Sequence, residues 1–523
     1  MNPCLETIPR DVLQHIAYLL ATASPTEPPR HLLPLLLTSS KIHRALNVHD
    51  SPHLYANIFR ATFDTDHALH SRLTDSMLAD ELLVRHRILW RTRRNDLSFE
   101  PTLEEVWAAV RMVLEDSGRN DVLLAEAGLS TFIMTYVRHR LARAAADLPS
   151  SGYSDTMYMV LWLLSLILTH QDVVNTPEAT RDELRKLLRF TSISTLASNP
   201  RHLHWEHKNP YETTKPALHI GFDSMDHSHI LERTIPIIII IFALNEAVPI
   251  AIPSHIPETR ALAIASQRSG PTAEDFRSIA DRRTPLFAEI RQAQMSGANP
   301  TTYISNPAHW VAYESRLRPI LYSSYLSPKY VPGHVYVPGS LAGLWDGCLM
   351  VSSEPMPSDP LSPPILGEFR CLKPMQCAIT EYLCFSPHLP IPSNYSADFL
   401  ESAVKSSGFR YEKYSPASND GNAKRDHSKA LDVIFLGKTL HDHEQAWNDF
   451  KFVGRVRSDG FIVMYREPKS QADERGLGTW IFEGHLQYGV AFVGQWRSSI
   501  PTATSDMRGI FSLRKTDAGW QDC

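Results

Sequence analysis

The spacing of apolar residues changes once along this chain, near Pro328 and Pro332, and that change constrains the fold more than any other feature. Before it, apolar side chains recur at helical spacing. Thr102 and Glu105 form a capping-box pattern ahead of Val106, Trp107, Val110, Val113 and Leu114, which share one helical face. Similar stripes cover 120 to 145, 153 to 170 and 177 to 197; Thr272 and Asp275 mark another helix start, and 309 to 326 reads as helix apart from Pro319. No fixed repeat emerges, so the region reads as an irregular helical array.

After Pro332 the period drops to two. Candidate strands are 343–352, 376–385, 431–438, 451–457, 460–466, 479–487, 491–497 and 509–515, separated by clusters of Pro, Gly, Ser and Asp. Ser458, Asp459 and Gly460 have the chemistry of a tight hairpin turn. Strands of this size, joined in sequence, predict an antiparallel up-and-down barrel. The fold class expected is therefore multidomain α+β: an N-terminal helical domain (1–60), a helical scaffold (61–330) and a C-terminal β-barrel (331–517).

A chain of 523 residues exceeds one compact core, and a net charge of −5 provides no field to gather nucleic acid. The apolar runs 157–168 and 235–244 are shorter than the roughly 20 residues a spanning helix needs, so both read as buried core, the second as helix despite Pro236. Neither a nucleic-acid nor a membrane partner is expected. The first residues lack the pattern of a secretory signal, and six cysteines are too few for a disulfide framework in a chain this long, so a cytoplasmic or nuclear setting is expected.

Gly precedes an aromatic residue by two positions at Gly343/Trp345, Gly478/Trp480, Gly494/Trp496 and Gly509/Phe511. In a barrel the glycine permits a sharp bend, and the ring projects from the same side of the strand. The pattern resembles the calycin type of barrel, as in lipocalins, where Gly-x-Trp marks the first strand; here that strand would be GLWDG (343–347). The candidate substrate-binding residues are Trp345, Trp480, Trp496 and Arg497. The tryptophans are read first as plugs of the interior, and Arg497 as a residue that stacks on a ring or meets a carboxylate. The connections 352–364, 386–428 and 466–477 would surround the rim, where binding usually resides.

The stretch LETIPRDVLQHIAYLL (5–20) places Val12, Leu13, Ile16 and Leu20 on one stripe behind Ile8 and Pro9, with Pro9 at the helix entrance. HLLPLLLTSSKIHRAL and PHLYANIF supply further apolar helices. Residues 5–59 resemble an F-box, with Ile8, Pro9, Val12, Leu13, Ile16, Leu20, Leu32, Leu36, Ile42, Leu54 and Tyr55 at the matching positions. They depart from it in Ile8 for Leu, Tyr55 for Trp, Thr38-Ser39 for Val-Cys, and an insertion at 22–31. The resemblance implies docking on the Skp1 adaptor of a cullin ubiquitin ligase. The segments FVGRVRSDGFIVMY and GTWIFEGHLQYGVAFVGQWR are similar to the barrel of F-box-only proteins that capture a substrate degron. The expected function is thus a substrate receptor of such a ligase, without catalysis or cofactor; the alternative is a barrel that holds a small molecule.

Enzymatic motifs give no competing signal. Phosphate-cradling glycine loops are missing, and GFDSM around Ser224 lacks the closing glycine of a nucleophile elbow. His202, His204 and His207, with Glu206, lack a complete zinc pattern, as do His441, His443 and Glu444, expected in a loop. Cys371, Cys377 and Cys384 read as small core residues. No metal site is expected.

Overall fold

The change of period near residue 330 marks a change of secondary structure. The computed structural model describes residues 5–23, 31–64, 73–146, 154–197, 227–296, 336–352, 369–385, 411–415, 430–469, 479–499 and 508–516, less a few isolated positions. The expected helix at 309–326, the histidines at 202, 204 and 207, and most of the three long rim connections lie outside the described residues. The chain divides into two compact units, Met1–Ile167 with Arg318–Tyr330, and Leu168–Leu317 with Val331–Cys523. The boundary thus falls within the helical middle.

The first unit contains α1 (Arg10–Thr22), α2 (Leu32–Leu36), α3 (Ser40–Leu46), α4 (Pro52–Thr62), α5 (Asp75–Arg94), α6 (Leu103–Leu114), α7 (Arg119–Ala127), α8 (Leu129–Ala146) and α9 (Asp155–Ile167). The capping box of α6 is present: Glu105 N–H donates to Thr102 Oγ1 at 3.2 Å, and Thr102 N–H donates to Glu105 Oε2 at 2.9 Å. Gly128, at φ +77°, ends α7 and explains why the stripe at 120–145 forms two helices. Between α5 and α6 lies a buried ion cluster. Glu81 accepts from Arg85 (2.9 Å) and Arg111 (2.6 Å), and Arg85 also donates to Glu115 at 2.7 Å. The Arg85 guanidinium carbon stands 4.8 Å from the Phe59 ring and 5.2 Å from Phe63, so α4 is locked to α5 through the same cation.

The second unit begins with α10 (His170–Asn175), α11 (Glu178–Ala197), α12 (His227–Glu246), α13 (Arg260–Ala265), α14 (Ala273–Ala280) and α15 (Phe287–Met295), and ends in nine strands. The β-branched run at 235–244 is helical, as expected, with Pro236 inside α12. Every residue from Thr234 to Leu244 is buried, because α12 packs between α11 and strands of the barrel. A helix covered on both sides needs no polar face, which is why periodicity alone could not assign it. Among the described residues no helix is long and apolar enough to cross a membrane.

The strands are β1 (Gly343–Ser352), β2 (Phe369–Cys384), β3 (Tyr411–Lys413), β4 (Asp432–Lys438), β5 (Phe450–Val456), β6 (Phe461–Pro468), β7 (Trp480–Gln487), β8 (Ala491–Ser498) and β9 (Arg508–Thr516). Eight of them form a closed antiparallel up-and-down barrel in which β1 pairs with both β2 and β9; β3 is a short addition beside β2. Strand β2 starts seven residues before its expected beginning and runs through Pro374. There it has one strand neighbour, since β4 reaches only to Ala378, and a proline is tolerated at such an edge. Gly460, at φ +82°, closes the expected hairpin after β5. The expected loop around His441 is instead a helix, α16 (His441–Trp447), started by Leu440 in extended conformation.

Helices and barrel of this unit meet in a polar clamp. His170 Nδ1 lies 2.9 Å from Glu289 Oε2, and Nε2 lies 3.2 Å from Glu246 Oε2. Glu246 also accepts from the Thr284 hydroxyl at 2.6 Å, and that hydroxyl stands 3.0 Å from Ser512 Oγ on β9. Burial pulls the His170 pKa down, but the hydrogen bonds and charges of Glu246 and Glu289 outweigh it and raise it to about 9. Because the folded value lies above the unfolded one, the stabilisation is full below about pH 6.5 and is lost as pH rises through about 9. Chemical unfolding followed by tryptophan fluorescence should therefore show stability falling by roughly 2–3 kcal/mol between pH 6 and pH 10. His170→Gln should flatten that slope.

Candidate functional site

Strand alternation decides which side chains enter the barrel. Trp345, Trp480 and Trp496 all belong to its buried core, with Leu349, Phe435, Phe452, Phe482, Phe492 and Phe511. The indoles of Trp480 and Trp496 stack at 4.3 Å with planes 15° apart. Trp496 Nε1 donates to the carbonyl of Met350 at 3.1 Å. Gly509 makes room for it: a Cβ there would stand 2.6 Å from Trp496 Nε1 and 1.8 Å from the Met350 carbonyl oxygen. The pairing of glycine with a ring two residues on is thus a packing device, with Phe511 inward beside Phe482 and Phe492. Arg497, one residue after Trp496, is half-exposed on the outer face, 3.5 Å from Glu483 Oε1. The structure therefore brings the three tryptophans together in one interior and leaves Arg497 outside it.

One end of the barrel is shut. The segment Tyr336–Ala342 crosses it and is held by Glu381, an inward-facing carboxylate on β2. Oε2 accepts from the Tyr336 hydroxyl (2.5 Å) and Gly339 N–H (2.6 Å), and Oε1 from the N–H groups of Leu341 (2.5 Å) and Ala342 (2.7 Å). Burial raises the Glu381 pKa, while the bonds from Tyr336 and Gly339 oppose that rise. Trp345 Nε1 donates to Leu341 O at 2.7 Å, and Lys515 Nζ on β9 donates to Ser340 O at 2.8 Å. Gly343, at φ +130°, leaves space for the Lys515 stem, whose Cε would lie 3.0 Å from a Cβ there. This is the structural use of the Gly-x-Trp pattern: the glycine admits the lysine and the indole anchors the plug.

The opposite end is built differently. Arg466, near the end of β6, faces inward and is only 2% exposed on the strand-and-helix side of the barrel where α16 connects β4 to β5. Its guanidinium carbon stands 3.8 Å from the Trp480 ring centroid and 4.1 Å from that of Phe450. Lys373 Nζ approaches the same Trp480 ring at 5.5 Å. Burial pulls the Arg466 pKa down to about 9, leaving it charged at neutral pH. His443 on α16 is buried, and burial, with Arg282, pushes its pKa down to about 4. Sequence reading passed over Arg466, Glu381 and Lys515, although each is a charged residue in the apolar phase of its strand.

The candidate adaptor residues separate into two groups. Leu13, Leu32, Ile42, Leu54 and Tyr55 are buried, with the Tyr55 hydroxyl donating to Leu46 O at 2.9 Å. Ile8, Ile16, Leu20 and Leu36 are half-buried, and Pro9 and Val12 are exposed. Leu19 (53% exposed), Leu33 (58%) and Leu37 (72%) join Val12 (45%) as large apolar side chains facing water on α1, on α2 and at the end of α2, helices that pack on each other. These three leucines were not among the expected residues. On another side of α1, Asp11, Gln14, His15 and Tyr18 line a polar cleft of about 560 Å³ against His53, Asn57 and Arg60 of α4.

Among the described residues no group of three or more His, Cys, Asp or Glu is gathered to hold a metal ion. His441 and Glu444 lie 3.6 Å apart on the exposed side of α16, away from the buried His443. Cys377 packs in the barrel core, and Cys384 is buried on the same strand. No family model matches this chain, and comparisons with curated proteins and with solved structures give no match.

Glu381 accepts from three backbone N–H groups of the plug. Glu381→Ala should strand them and lower the stability of the second unit by roughly 3 kcal/mol or more, read as a reduced urea midpoint with unchanged slope. Arg497→Ala should lower that midpoint less than Glu381→Ala does, because the arginine side of its pair with Glu483 is half-exposed.

Proposed function

We propose that the chain is a non-catalytic substrate receptor of a Skp1-cullin type ubiquitin ligase, docking on the adaptor through α1 and α2 and taking a protein substrate at the barrel. The observation that carries this reading is the set of water-facing apolar side chains on the first two helices. Scattered apolar residues on a surface are ordinary, but Val12, Leu19, Leu33 and Leu37 stand on neighbouring helices within 26 residues. Burying each against a partner is worth roughly 1 kcal/mol or more. The resemblance of residues 5–59 to an F-box supplies the identity of that partner. The buried half of the same pattern, Leu13, Leu32, Ile42, Leu54 and Tyr55, forms the helical core that presents the face.

The barrel supports the second half of the reading. It has one plugged end, and the opposite end is furnished with a cation and aromatic rings, which is where this reading puts recognition. The alternative, a barrel that holds a small molecule without an adaptor, draws on the same end and makes no use of the α1–α2 face.

Co-purification of the full chain with the Skp1 adaptor tests the proposal. Wild type should retain the adaptor stoichiometrically, and Val12→Asp/Leu33→Asp should lower capture at least about tenfold with an unchanged melting temperature, since both positions face water. Leu13→Ala should instead lower stability, by roughly 2–4 kcal/mol. A folded wild-type chain that captures no adaptor overturns the reading.

A further inference from the structure

Arg466 is a buried cation of the barrel interior that stands against aromatic rings. Phe450, the Arg466 guanidinium, Trp480 and Trp496 form successive layers, with centroid separations of 4.1, 3.8 and 4.3 Å. Both rings stand within stacking distance of the guanidinium carbon. Nε and Nη2 are buried and have no hydrogen-bond partner among the described residues. Stacking on rings offsets part of the cost of burying the charge, but it uses none of the N–H donors. A buried guanidinium with no carboxylate beside it is rare in a structure built for stability alone.

Nε and Nη2 are the adjacent pair that meets the two oxygens of a carboxylate in parallel hydrogen bonds, in the plane of the guanidinium. Lys373, 5.5 Å from the same Trp480 ring, places a second cation beside the stack. The other end of the barrel is closed by the plug that Glu381 and Lys515 hold.

We propose that Arg466 binds a carboxylate at the unplugged end of the barrel, bidentate through Nε and Nη2, with the apolar part of the ligand against Trp480 and Phe450. The inference stands on the barrel alone and does not depend on adaptor docking. Two sources share this chemistry: a free small acid, and a carboxylate carried by a peptide.

Calorimetric titration of the full chain with 3-phenylpropionate and with its neutral amide tests the proposal. Wild type should bind the acid at least tenfold more tightly than the amide. Arg466→Met should bind both equally, while its melting temperature stays level or rises, because an unpaired buried charge has been removed. Arg466→Lys, which keeps charge and loses the planar fork, should retain less than a tenth of the wild-type preference and covers the case in which the methionine variant fails to fold. A second arm compares a Gly-Ser hexapeptide ending in phenylalanine, with a free or an amidated carboxyl. Tighter binding of the free-acid peptide than of phenylpropionate assigns the site to a peptide-borne carboxylate, and the reverse order assigns it to a free small acid. Equal affinity of wild type for acid and amide, or binding of none of the four probes, overturns the proposal.

Discussion

The barrel depends on one contact of long range, the pairing of β1 with β9. The other six barrel strands form a meander of neighbours, but that pairing joins Leu344 to Thr516 and turns an open sheet with two bare edges into a closed one. It can form only if the ends of both strands are held in place. Lys515 bonds the plug at Ser340, Glu381 bonds the same plug from β2, and Trp345 fastens it to β1. Three strands thus meet on one short segment, and the closure of the sheet and the closure of its end are a single event. At the other end of the same barrel stand Arg466 and the rings of Phe450 and Trp480.

The two units treat buried charge in contrasting ways. In the first, Glu81, Arg85, Arg111 and Glu115 neutralise each other within hydrogen-bond distance, and the cluster ties helices together. In the second, the same principle appears in the clamp of His170 with Glu246 and Glu289. Both are structural solutions: each cation has its counter-charge. Arg466 has no such counter-charge among the described residues, and it lies at the end of the barrel opposite the plug.

Much of the fold was legible because alternation and helical spacing are local. The strand bounds at β1 and at β4 to β9 follow from period-two runs, and Trp496 inward with Arg497 outward is itself a reading of phase. Pro374 hid the start of β2, since a proline signals a break unless the neighbouring strand is known to be short. Phase also held an unused signal: Ile462, Met464 and Arg466 share one side of β6, as do Ile379, Glu381 and Leu383 on β2, and a charge in an apolar phase is either paired or waiting for a partner. On α1 the expected apolar stripe divides: Leu13 is buried in the helical core, while Val12 faces water, as does Leu19 beside the stripe. The meeting of His170 with Glu246 and Glu289 was not legible at all, since no local pattern links residues so far apart.

Helix α12 has a consequence for how this protein is made. Its isoleucines, 237 to 241, are buried against strands that complete only with β9, about 270 residues later in the chain. At translation rates of roughly 5–20 residues per second, the ribosome takes some tens of seconds to deliver them. During that interval α12 has α11 on one side and no permanent cover on the other, so the exposure of its isoleucines lasts as long as the barrel takes to be made.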